Sequence, residues 1–127
     1  MPTGRCECGA VAFEVDAVRE TVTFCHCSQC RRTSGHFWAA TRAPFDQVRF
    51  TKDEGLRWYA SSDFAKRGFC GNCGSSLFYR MNEEDGIGIA AGCLDAPTGM
   101  TPGKHIFVAD KGDYYAVSTD APHFDTF

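Results

Sequence analysis

Cys25-His26-Cys27-Ser28-Gln29-Cys30 places three thiols within six residues. Two cysteine pairs stand far from this triplet, Cys6/Cys8 near the start and Cys70/Cys73 past the middle. Thiols spaced this closely can chelate one ion. The two pairs together make a closed four-sulfur site, for which zinc is the default metal. The triplet is left with three ligands and no evident fourth. Either Cys93 closes that second site, or Cys93 is simply buried and one coordination position stays open.

Working outward, the chain reads as short strands with frequent turns and little helix. Residues 4–15 read as a strand pair bent at Gly9, with Cys6 and Cys8 on one strand face. Thr21–Phe24 is β-prone and feeds the triplet. Ser28–Thr33 reads as one helical turn with Ser28 as N-cap and Gly35 as its end. His36–Thr41 is the next strand, closed by Pro44. Residues 48–51 and 56–59 read as a hairpin across Lys52-Asp53-Glu54-Gly55. Arg67–Gly74 has the look of a zinc knuckle, followed by strands at 76–80 and 87–93. Residues 95–103 read as loop, 104–109 as the last strand, and the aromatic tail from Tyr114 as irregular.

The length, 127 residues, fits a single domain spanning 1–127. A domain this small gains from metal staples. The net charge of -3 gives no global support to nucleic-acid binding. No run approaches the roughly 18 apolar residues of a membrane span. Met1–Arg5 leads into the first cysteine pair without an apolar leader, which points to a cytoplasmic protein whose clustered cysteines are reduced and metal-bound.

Three thiolates around Zn²⁺ leave the centre net negative, a poor setting for making hydroxide from water. A substrate thiol, held deprotonated yet nucleophilic, suits it better. The chemistry expected is addition or elimination of a thiol at a small electrophilic carbon. His26 and His36 flank the triplet and are candidates for proton transfer. Between residues 31 and 67 eight Lys/Arg face four acids, and Arg31 and Arg32 beside Cys30 are the cations expected to meet an anionic substrate. The competing expectation is a non-enzymatic, zinc-braced binding module for a protein partner. Redox or metal buffering is a third.

Several stretches together resemble the glutathione-dependent formaldehyde-activating enzyme family. They are Gly4-Arg5-Cys6-Glu7-Cys8-Gly9, Cys25 through Gly35, Phe69-Cys70-Gly71-Asn72-Cys73-Gly74, Gly92-Cys93-Leu94-Asp95 and His105-Ile106-Phe107-Val108. The resemblance implies a mainly β fold, the β-tent, with two zinc ions per chain. It implies a structural zinc on Cys6, Cys8, Cys70 and Cys73, and a catalytic, more labile zinc on Cys25, Cys27 and Cys30. The implied reaction is that of a carbon–sulfur lyase, forming S-hydroxymethylglutathione from formaldehyde and glutathione. The implied partner is therefore a small-molecule thiol such as glutathione.

Overall fold

A computed structural model describes residues 1–127. The chain is mainly β, as expected, with ten strands and one α-helix. β1 (Thr3–Arg5) and β2 (Ala12–Val15) pair antiparallel, with Gly4 opposite Phe13. β3 (Thr21–Cys25) runs into the triplet, and α1 (Ser28–Ser34) follows it. Then come β4 (Trp38–Pro44), β5 (Val48–Lys52), β6 (Leu56–Ala60) and β7 (Ala65–Cys70). β8 (Ser76–Met81), β9 (Gly86–Ala90) and β10 (Thr101–Ile106) complete the set. One sheet has the order β1-β2-β5 and the other β10-β3-β4-β9-β8-β7-β6. Only the β10–β3 pair is parallel.

The core lies between the two sheets. Alternation sends Phe13 and Val15 of β2 inward, against Leu77, Phe78, Ile87 and Ile89 of the larger sheet. Phe78 is the centre of an aromatic cluster: its ring meets Phe13 edge-on at 5.2 Å and Phe50 at 5.7 Å, and stacks near Trp58 at 6.1 Å. Leu77 and Phe78 are adjacent yet both fully buried. A bulge reconciles this, because Gly68 pairs with Phe78 while Phe69 pairs with Ser76, leaving Leu77 as the extra residue.

Four local expectations change. The expected hairpin between β5 and β6 does not form: β5 pairs with β2 and β6 with β7, in different sheets. Each strand has a better partner for its apolar side, Phe50 opposite Phe13 and Leu56 opposite Cys70. Gly55, between them, is held by hydrogen bonds from its N–H to Ala10 O and from Gly71 N–H to its own carbonyl. Cys6 and Cys8 sit in a turn rather than on a strand, since Gly9 is left-handed at φ 85° and its N–H returns to Cys6 O. The strand expected over 87–93 ends at Ala90, and Ala91–Cys93 is a 3-10 turn. The last strand begins at Thr101 and stops at Ile106, because Phe107 turns left-handed at φ 55°. Pro102 is tolerated because β10 is the terminal strand of the sheet.

Truncating Phe78 to alanine removes the ring that joins both sheets. The expected cost is about 3–5 kcal/mol, read as a lowered urea midpoint in Phe78→Ala with m unchanged.

Candidate metal centres and the cavity beside them

Cys6, Cys8, Cys70 and Cys73 bring their four sulfurs within 4.8 Å of one another. The Cys6–Cys8 and Cys8–Cys70 separations are 3.7 and 3.8 Å. Four sulfurs each about 2.3 Å from a tetrahedral zinc stand roughly 3.8 Å apart, so this geometry fits such an ion. Backbone donors face the sulfurs, Val11 N–H to Cys6 Sγ at 3.3 Å and Asn72 N–H to Cys70 Sγ at 3.4 Å. The second turn is closed by Gly74 N–H to Cys70 O, with Gly74 at φ 82°. Donors aimed at sulfur favour the thiolate that a metal requires.

The triplet forms a second group, its three sulfurs also within 4.8 Å. β3 ends at Cys25, and α1 supplies Cys30 in its first turn. The helix is capped by Cys27, whose sulfur accepts from Cys30 N–H at 3.3 Å, and not by the expected Ser28. Gly35 ends the helix as expected, left-handed at φ 89°. Three thiols so close cannot all ionise alone. Sharing hydrogen bonds with Cys27 and then Cys30 pushes Cys25 well up, while those from Cys25 and Cys30 pull Cys27 well down. A divalent cation removes this conflict, so the donor set suits one.

The triplet forms part of the wall of a cavity of about 520 Å³. Trp38, Tyr79 and Phe107 supply its aromatic surface. Its cations are Arg19, Arg42, Arg67 and Lys104, against a single acid, Asp110. Arg31 and Arg32, the cations expected to meet a substrate, do not line it. Arg42 is held by an ion pair with Glu84. Arg67 was legible only as one of many basic residues beside the knuckle. The signal that could have found it is alternation: Ala65, two residues earlier, is buried on the same strand.

Cys93 joins neither sulfur group. It is half-buried, and its thiol donates to Ala90 O at 3.1 Å. Burial pushes its pKa up to about 12.

The flanking histidines have other partners. His26 is 1% exposed and does not line the cavity. Its Nε2 lies 3.0 Å from His105 Nδ1, and its Nδ1 lies 2.5 Å from the Tyr115 hydroxyl. His105 Nε2 lies 2.9 Å from Asp120 Oδ1. A carboxylate only accepts, so with one proton per ring every donor in this chain points toward Asp120, and Tyr115 O–H donates to His26. Burial, then the nearby His105, lowers His26 to about 4, which keeps it neutral. His36 lies outside the cavity, with Nδ1 3.1 Å from the Tyr114 hydroxyl.

Residues 1–110 match the family described as glutathione-dependent formaldehyde-activating enzyme. The chain belongs to this family. It is similar to an uncharacterized lyase of Schizosaccharomyces pombe, 31% identical over 114 residues, which cover 88% of this chain and 82% of the relative. It is also similar to a Rhodobacter sphaeroides protein known from a crystal structure. That likeness has a TM-score of 0.64 and 30% identity, covering 74% of this chain and 88% of the other. The fold is thus the mainly β, β-tent fold of the family. No helix is long and apolar enough to cross a membrane. Family and relative together support a lyase connected with glutathione, carrying cysteine clusters able to hold metal.

Two outcomes follow for this family member. Cys93 keeps its proton below about pH 12, whereas the unfolded thiol loses it near 9. Between those values the folded chain binds the extra proton, so stability falls as pH rises through the window. Replacing Cys93 by alanine should flatten that fall in denaturation curves measured across pH 8–11, a range set by roughly a unit below the unfolded pKa. Tyr115→Phe leaves a buried His26 nitrogen without its donor. The expected loss is about 1–3 kcal/mol, measured by urea unfolding of the full chain.

Proposed function

We propose that this chain is a zinc-dependent carbon–sulfur lyase of the S-hydroxymethylglutathione synthase type, joining formaldehyde and glutathione reversibly. The observation that carries the reading is the place of the triplet: three sulfurs on the wall of a basic cavity, with Cys93 turned to Ala90 O instead of toward them. In this reading Cys6, Cys8, Cys70 and Cys73 hold a structural zinc, and Cys25, Cys27 and Cys30 hold the catalytic one. When bound there, zinc would keep a substrate thiol deprotonated near neutral pH and still nucleophilic.

The rest of the chemistry falls to the chain. The cavity's excess of cations attracts the carboxylates of a glutathione-type substrate. Trp38 and Tyr79 give its methylene groups an apolar surface to pack on. The sulfur lone pair forms the new C–S bond to the aldehyde carbon as the carbonyl π pair moves to oxygen. That oxygen then takes a proton, giving the hydroxymethyl thioether, and the reverse sequence is the elimination. Burial raises Tyr79 above its ordinary pKa, so it stays a phenol and is the donor assigned to the oxygen; the proton that the substrate thiol releases to solvent restores the phenol, so no proton is gained or lost overall. The family match ends at residue 110, but the tail supplies Tyr115 and Asp120 to the histidine chain behind the triplet. We therefore assign residues 1–127 to one working domain.

Cys27→Ala tests the reading. It should lose about one of two zinc equivalents while keeping its fold by circular dichroism. Formation of S-hydroxymethylglutathione, followed by NMR, should drop to the uncatalysed rate. Full activity in this variant would refute the proposal.

A further inference from the structure

Arg67 is the only Lys, Arg, Asp or Glu among the buried residues, at 6% exposed. No carboxylate forms a salt bridge with it. Its fork is fixed from several sides. Nε donates to Gln29 Oε1 at 2.9 Å, and Gln29 is itself tied by Nε2 to Ser61 O at 3.1 Å. Nη2 donates to Cys30 Sγ at 3.4 Å. The guanidinium carbon lies 4.9 Å from the Tyr79 ring and 5.6 Å from Trp38. Nη1 is buried with no hydrogen-bond partner.

A permanent cation in such a place is unfavourable unless negative charge stands beside it. Here the neighbouring negative charge is on sulfur. Three thiolates and a divalent ion sum to one negative charge, which Arg67 cancels. An entering thiolate adds another negative charge, and a neutral ligand adds none. Taking the lyase reading as its basis, we propose that Arg67 is a positioning residue that supplies the counter-charge of the three-sulfur centre and so favours an anionic sulfur over neutral ligands there. Arginine suits this task because it cannot lose its proton and its planar fork holds sulfur and amide together.

The distinction can be read on cobalt-substituted full-length protein, using visible absorption bands of the second metal. Two probes are titrated: 2-mercaptoethanol, which binds as a thiolate, and imidazole, which binds neutral. Arg67→Met should retain both cobalt equivalents and the wild-type affinity for imidazole. Its thiol affinity should fall roughly ten- to hundredfold. Arg67→Lys, which keeps the charge, should recover most of the thiol affinity. If Arg67→Met does not fold, Arg67→Gln makes the same comparison. The inference is overturned if the neutral variant binds thiol as tightly as wild type, if it loses both probes equally, or if lysine restores nothing. A wild-type centre that binds no thiol would overturn the lyase reading as well, so the two failures are distinguishable.

Discussion

The meeting of two cysteine turns, separated by 61 residues between Cys8 and Cys70, governs the rest of the architecture. The first turn follows β1 of the small sheet and the second follows β7 of the large one. Cys6 and Cys70 are fully buried members of the hydrophobic core, so the sulfur cluster is continuous with the packing it braces. The same brace reaches the other centre. Arg67 stands three residues before Cys70 on β7, so fixing that strand's end also fixes the guanidinium beside Cys30.

Much of this was legible in the residues. Cysteine spacing identified which sulfurs would meet, because chelating turns are local and their chemistry limits the partners. Strand positions followed from alternation, as at Phe13 and Val15. Pairing was less legible. Lys52-Asp53-Glu54-Gly55 looks like a hairpin turn, yet the strands on either side belong to different sheets, a choice made by Phe13 and Cys70 far away in sequence. The helix cap was missed because a thiol accepts from Cys30 N–H in place of the nearby serine. The cavity's cations were missed for a similar reason: Arg31 and Arg32 adjoin the triplet in sequence, whereas Arg67 adjoins it in space.

The two sulfur groups differ in a way that matters chemically. Cys8 and Cys73 are exposed, but their group has four donors and its neighbours are turn backbone. The triplet has three donors, aromatic walls and a buried cation. Four thiolates around a divalent ion carry two negative charges, which peptide N–H groups and solvent at the surface can offset. Three thiolates beside Arg67 need less from solvent and leave room for an added anion. In the proposed reading, similar ligands therefore serve bracing at one place and exchange at the other.

The histidine network explains how a three-sulfur loop can keep its shape. His26 lies between two ligating candidates, and both its ring nitrogens are occupied, by Tyr115 and His105. A ring so engaged and buried, and outside the cavity lining, is a poor proton shuttle but a good anchor for the loop that carries it. Asp120 orients the chain of donors from the far end, and residues 122–126 hydrogen-bond to the backbone of residues 105–109. The tail thus acts on the triplet from behind, while Arg67 and Tyr79 act from the cavity side. In the proposed reaction the proton that reaches oxygen comes from the cavity wall, and the histidines hold the sulfurs still.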